Sequence, residues 1–140
     1  MNLGHVTVGD LMSASVITVL PTDSMEHAES EMRLGDVRHL PVVDKDQRLV
    51  GIISSRDLAL AKGRGKARVG QYMSTRLRTV GPTMLAHEAA GLMLQHKIGA
   101  LPVVDDEGDL VGLLTDTDFL RFAHQVLGGY SHVVQLSELP

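Results

Sequence analysis

One twenty-residue stretch, HLPVVDKDQRLVGIISSRDL from His39 to Leu58, returns 61 residues later as ALPVVDDEGDLVGLLTDTDF from Ala100 to Phe119. Shifting the chain by 61 and comparing residues 8–60 with 69–121 gives 19 identities in 53 positions without a gap, among them Val8-Gly9 with Val69-Gly70, Met12-Ser13 with Met73-Ser74, and Pro21-Thr22 with Pro82-Thr83. Self-similarity at one fixed period over that length marks duplication of a structural unit. The fold must therefore hold two like halves.

Each copy reads alike. A proline leads in a short apolar strand (Pro41-Val42-Val43, Pro102-Val103-Val104), an Asp and a polar four-residue turn follow, and a second apolar strand runs Leu49 to Ile53 or Leu110 to Leu114. Strands joined by so short a polar connection form an antiparallel hairpin. Ahead of it, Val16 to Val19 and Leu77 to Val80 read as strands, closed by Pro21 and Pro82. Between these, Met25, Ala28, Met32 and Val37, with Ala86, Ala89, Met93 and Ile98 in the second copy, keep the spacing of one buried helical face. Thr22, Asp23 and Ser24 are candidate caps at its start, with Gly35 and His96-Lys97 near its end. A helical turn opens each unit, VGDLM after Thr7 and VGQYM after Ala67-Arg68. A second helix closes each unit, stopping by Gly63 in the first copy and reaching about Leu127 in the second. The order is β-α-β-β-α, with the first helix crossing over between parallel strands.

The chain divides into a first repeat over 1–61, a basic linker over 62–68, a second repeat over 69–127 and a tail over 128–140, in which SHVVQL suits a strand or a helix end equally. A domain of about 60 residues buries only about 60% of the surface its unfolded chain exposes, and both hairpin strands are apolar at consecutive positions, so the sheets need cover on both faces. Helices supply one cover and the other repeat supplies the second. A pseudo-twofold arrangement of this kind leaves two equivalent clefts between the repeats, and hence two related binding sites.

Composition narrows the function. A net charge of −4 and a pI near 5.9 argue against a nucleic-acid binder that neutralises phosphates. Lys62, Arg64, Lys66 and Arg68 alternate with glycine and alanine and read as a solvated linker. GRGKAR lacks the G-x-x-x-x-G-K-[S/T] spacing of a phosphate-binding loop, and two Tyr, two Phe and no Trp leave little on which to stack bases. No apolar run approaches bilayer length, MNLGHVTVGD lacks the basic and apolar regions of a signal peptide, and there is no cysteine. The expectation is a cytoplasmic module with no membrane partner. No G-x-S-x-G surrounds Ser54, no cysteine nucleophile exists and no acid pair is placed to meet across a cleft, so no enzymatic activity is expected. The histidines outside position 39 (His5, His27, His87, His96, His124, His132) show no i, i+4 pairing and His87-Glu88 lacks the second His of H-E-x-x-H, so no metal site is expected.

Each hairpin ends in Ser54-Ser55-Arg56-Asp57 or Thr115-Asp116-Thr117-Asp118, a hydroxyl followed three residues on by a carboxylate just before a helix. Taken alone, that spacing is a capping box. Gly51 and Gly112, inside a strand, suit the close approach of another backbone or a ligand.

Taken together, h-x-x-LPVVD, a polar turn, LVGII or LVGLL and then S/T-x-x-D, twice over roughly residues 6–124, closely resemble the cystathionine-β-synthase-type regulatory domain (CBS domain) in its tandem form. That resemblance implies an α+β fold of two β-α-β-β-α repeats about a pseudo-twofold axis, with small three-stranded sheets facing each other and helices outside. It implies a non-catalytic sensor without a prosthetic group, holding AMP, ADP, ATP, S-adenosylmethionine or NAD between the repeats, forming homodimers through its helices and acting on an unidentified effector protein. Carried over by position, Ser54 and Thr115 touch the ribose–phosphate region, and Asp57 and Asp118 accept both hydrogens of the ribose diol, a match of two acceptor oxygens to two hydroxyls. Thr18, Val19, Thr79 and Val80, with Val37 and Ile98, sandwich the adenine. The family often draws phosphate-binding cations from the positions of Arg38 and His39. The copies differ there: Arg38, His39 and Arg56 in the first, Gly99, Ala100 and Thr117 in the second, with an added acid at Asp116. The expectation is that the site of Asp57 and these cations prefers charged nucleotides and the other site a less anionic adenosyl compound. The rival reading is a ligand-independent dimerisation scaffold in which S/T-x-x-D only caps helices.

Overall fold

The first half of the chain is completed by residues from the second, and the second by residues from the first. In the computed structural model, which describes residues 3–64 and 66–129, the order is α1 (Val8–Leu11), α2 (Met25–Gly35), β1 (His39–Val43), β2 (Leu49–Ser54), α3 (Ser55–Ala61), α4 (Val69–Tyr72), α5 (Ala86–His96), β3 (Ala100–Val104), β4 (Leu110–Thr115) and α6 (Asp116–His124), closed by a π-turn over Gln125–Gly129. The SHVVQL segment lies outside the described residues.

β1 pairs antiparallel with β2, and β3 with β4, in matching registers that set Val42 opposite Gly51 and Val103 opposite Gly112. Asp44 and Asp105 organise the turns: Asp44 Oδ1 accepts the amides of Asp46 and Arg48 at 2.9 and 3.0 Å, and Asp105 Oδ1 those of Glu107 and Asp109, both at 2.9 Å. This is the Asx turn that makes Asp a turn former.

The third strand expected in each sheet is reduced to one residue. Val19 donates its N–H to Pro41 O at 3.2 Å and accepts Val43 N–H at 2.9 Å, a parallel bridge that Val80 repeats with Pro102 and Val104 at 3.1 and 2.9 Å. Extending a parallel ladder one step back would need an N–H from Pro41 or Pro102, and one step forward an N–H from Pro21 or Pro82. Proline has none, so each ladder stops at two strands.

α2 begins at Ser24, whose Oγ accepts His27 N–H at 3.0 Å, and ends where Asp36 turns left-handed at φ 51°. α5 ends in the same way at Lys97, φ 54°. Met25, Ala28 and Met32 on α2, and Ala86, Ala89 and Met93 on α5, are buried as the helical spacing requires.

The exchange between halves begins with the short turns. α1 opens on a capping box, with Thr7 N–H donating to Asp10 Oδ2 at 2.9 Å and Asp10 N–H to Thr7 Oγ1 at 3.3 Å. The backbone N–H of Thr7 first, and its side-chain hydroxyl second, hold the Asp10 carboxyl below its ordinary pKa. α1 lies on the second half: Val8 and Gly9 N–H donate to Met84 O and Pro82 O, both at 2.8 Å, and Val6 O accepts the first amide of α5 at 2.8 Å. α4 mirrors it on the first half, where Val69 and Gly70 donate to Asp23 O and Pro21 O, both at 2.9 Å, and Ala67 O accepts the first amide of α2 at 3.0 Å. Two cores result. One joins Val19, Met32, Leu40, Val42 and Ile53 to Ala67 and Val69. The other joins Val80, Met93, Leu101, Val103 and Leu114 to Val8.

Gly51 and Gly112 mark where the exchanged segments press closest. A Cβ on Gly51 would stand 2.6 Å from Met73 Sδ and 3.1 Å from Ser74 O; on Gly112 it would stand 2.5 Å from Met12 Sδ and 3.0 Å from Ser13 O. The glycines serve a backbone approach, one of the two uses the strand position suited.

Candidate functional site

Between the halves opens a cleft of about 570 Å³. Its first wall is the segment Ser15–Ile17 and the stretch Gly35–Leu40, which runs from the end of α2 through the left-handed turn at Asp36 into β1. Its second wall is the start of α6, Thr115 to Asp118, with Leu113 below and Arg121 one turn on.

Both S/T-x-x-D sequences form capping boxes. Ser54 N–H donates to Asp57 Oδ2 at 2.8 Å and Asp57 N–H to Ser54 Oγ at 3.3 Å; Thr115 N–H donates to Asp118 Oδ2 at 2.8 Å and Asp118 N–H to Thr115 Oγ1 at 3.4 Å. The cap engages Oδ2 and leaves Oδ1 for other use. In Asp118, a buried residue, Oδ1 accepts Arg121 Nη1 at 3.3 Å. In Asp57 it has no partner among the described residues, and the position equivalent to Arg121 is Leu60.

Arg38 and His39 enter the cleft of Asp118, which corrects their grouping with Asp57. Arg38 O accepts Ser55 N–H of its own repeat at 2.9 Å, and its side chain extends from that anchor across the boundary, Nη2 lying 3.4 Å from Asp116 Oδ1. His39 has its pKa lowered mainly by burial; the Arg38 charge acts in the same direction, while Asp116 and Asp57 oppose it.

Of the residues singled out by sequence, Val37, Arg38, His39, Thr115 and Asp118 meet in this cleft. Thr18 lines a smaller one of about 420 Å³ with Val43, Gln47 and Leu110. Val19 and Val80 are core residues whose backbone groups form the parallel bridges. Ile98 packs against the second core and Ala100 is buried at the start of β3. Ser54 and Asp57 are half-buried, Arg56 and Thr79 exposed, and none of these four lines either cleft described here. Sequence reasoning missed Ser15, Ile17, Asp36 and Arg121. Arg121 carried a signal: it stands three residues after Asp118, one helical turn, where the other copy has leucine.

Among the described residues, the carboxylates of Asp105, Glu107 and Asp109 alone come within 4.8 Å of one another as a group that could share a cation. The turn built on Asp105 accounts for their proximity. No helix among the described residues is long and apolar enough to cross a membrane.

A model of the CBS domain matches residues 8–63 and again residues 69–125. The chain belongs to the CBS-domain family. Among curated relatives, a homoserine O-acetyltransferase from Methanohalophilus mahii is 38% identical over 113 residues, 81% of this chain and 23% of that protein. The chain thus spans about a quarter of the length of that enzyme. Among solved structures, the CBS domain pair of protein MJ0100, in complex with 5′-methylthioadenosine and S-adenosyl-L-methionine, aligns with a TM-score of 0.81 at 30% identity, covering 86% of this chain and 98% of that one. CBSX2 from Arabidopsis thaliana, in complex with AMP, aligns with a TM-score of 0.76 at 32% identity, covering 87% and 98%. This CBS pair shares the tandem α+β arrangement of those structures, with two-stranded hairpins and flanking helices in each half.

Proposed function

We propose that this CBS pair is a non-catalytic regulatory module that binds adenosyl ligands between its repeats and passes the binding on to a partner protein through rearrangement of a homodimer. The observation that carries the reading is the cleft itself, where Thr115 and Asp118 from one repeat face Val37, Arg38 and His39 from the other across a space of about 570 Å³. A ribose diol offers two hydroxyl donors to the Asp118 carboxylate, and Val37 and Ile17 supply apolar surface for a flat base. The ligand classes of the two solved relatives, AMP on one and S-adenosylmethionine with methylthioadenosine on the other, support it. Ser54, Asp57, Arg56, Thr79, Val80, Ile98 and Ala100 would serve the equivalent site on the other side of the pseudo-twofold axis, while Thr18 and Val19, which do not line the first cleft, would reach its adenine only through the main chain that continues from Ile17.

Exposed leucines on four helices, Leu34 on α2, Leu60 on α3, Leu94 on α5 and Leu120 on α6, support packing of the helices against a second copy. A ligand that favours one arrangement of such a dimer shifts its population and thereby the partner's activity.

Thermal melting against AMP, ADP, ATP, S-adenosylmethionine, methylthioadenosine and NAD tests the reading. A ligand at 100 times its dissociation constant adds about 2.7 kcal/mol of stability, and a flat panel would favour a ligand-independent dimerisation scaffold. The scaffold reading has one observation in its favour: in each S/T-x-x-D the hydroxyl donates to the carboxylate, at 3.0 Å in the first copy and 3.2 Å in the second, so the two already satisfy one another as caps.

A further inference from the structure

We infer that Asp116 sets the charge class of ligand in the Asp118 cleft, turning it against phosphorylated nucleotides and toward phosphate-free adenosyl compounds, neutral or sulfonium. The inference rests on the adenosyl reading above and specifies one of its two sites.

Both guanidinium groups of the cleft are already paired with its own acids. Arg38 meets Asp116 at 3.4 Å, and Arg121 meets Asp118 at 3.3 Å. Asp36 adds a third carboxylate to the lining, so three acids face two guanidiniums, and the partial burial of His39 disfavours its charged form. A phosphate monoester would bring about −1.5 to −2 charges at neutral pH into a wall with a net negative charge and would have to take Arg38 from Asp116. An adenosyl ligand without phosphate meets no such cost. Gly99 leaves room for the pair, since a Cβ there would stand 3.3 Å from Asp116 Oδ2 and 3.4 Å from His39 Cε1, close enough that the Asp116 carboxylate would have to shift slightly.

The other half carries the opposite charge at the matching positions. A shift of 61 replaces Asp116 and Thr117 with Ser55 and Arg56, Ser15 and Ile17 with Arg76 and Arg78, and Asp36 with Lys97, leaving Asp57 as the sole acid among four cations. Like charges facing across a site cost affinity and opposite charges direct it. The expectation that nucleotides prefer the Asp57 side therefore stands on Arg56, Arg76, Arg78 and Lys97 rather than on Arg38 and His39.

The test titrates the full chain with adenosine, methylthioadenosine, AMP and ATP, following the backbone amide signals of His39, Thr115 and Asp118, which report this cleft. The wild type should bind adenosine at least about tenfold more tightly than ATP here, and Asp116→Ser, which installs the residue of the matching position, should tighten AMP and ATP about tenfold while moving adenosine less than about twofold. Arg38→Ala, which leaves Asp116 unpaired, should weaken AMP further. Equal adenosine and ATP affinities in the wild type, or an adenosine-to-AMP ratio unmoved by Asp116→Ser, would overturn the inference while leaving the adenosyl reading intact. Silence of these amides toward every compound in both proteins would end both.

Discussion

Ile52 and Ser74 exchange both of their backbone hydrogen bonds, Ile52 N–H to Ser74 O at 3.0 Å and Ser74 N–H to Ile52 O at 2.9 Å, although they belong to different repeats. Ser13 and Leu113 do the same in the other half, at 3.0 Å in both directions. The boundary between sequence repeats and the boundary between cores are thus different lines.

This predicts how pieces of the chain behave. Residues 14–76 contain every residue of the first core, including Ala67, Val69 and Met73, whereas 3–64 lack the last three. The 14–76 fragment should retain dispersed amide signals and the 3–64 fragment should lose them. Equal order in both would show the exchanged segment to be dispensable.

Glycine substitutions should change sign with position. Gly51→Ala and Gly112→Ala drive a Cβ against Ser74 O and Ser13 O, backbone atoms at 3.1 and 3.0 Å, and should cost about 1–3 kcal/mol in urea unfolding. Gly91→Ala, mid-helix in α5 with nothing within 4 Å, should add about 0.5–1 kcal/mol.

The two capping boxes separate stability from binding. Thr115→Ala removes the hydroxyl cap of α6 and should cost about 1 kcal/mol. Asp118→Asn should weaken adenosyl binding at the described cleft by more than about tenfold, while Asp57→Asn leaves that cleft's affinity nearly unchanged. Urea unfolding of Thr115→Ala reads the first effect and calorimetric titration of the two Asn variants the second, and equal losses from the two Asn variants would contradict the placement of Asp118.

The imidazole of His39 should appear in the pH dependence of stability. Its pKa is lower in the folded protein, mainly because partial burial disfavours the charged form, so the unfolded chain binds the proton more readily. Stability from this group is then complete above the unfolded value of about 6.5 and declines as pH falls from there toward the folded value. His39→Gln should flatten that part of the wild-type profile between neutral and mildly acidic pH. Parallel profiles would mean that the site titrates as it does in the unfolded chain.

What the residues told in advance depended on whether local chemistry decides the outcome. The hairpins were legible because proline, the Asp turn and consecutive apolar residues act within twenty positions. The crossover helix was legible from Met25, Ala28 and Met32. The third strand is shorter than composition suggests: Val16 to Val19 has strand composition, but a longer ladder would need N–H groups at positions held by Pro41 and Pro21. The exchange of α1 and α4 was hidden because Val8 and Val69 are identical, and a repeat pattern does not say which copy a residue seals. For the same reason the cleft of Arg38 could not be read off, since its carbonyl serves one repeat and its guanidinium the other.

Ser13 is hydrogen-bonded to Leu113, and Ser15 to Ile17, two residues later, already forms the cleft wall. Ser13 and Leu113 themselves line the opening. The wall of the cleft and the stitch that fastens the two lobes are therefore one continuous run of main chain rather than two parts joined by a loop.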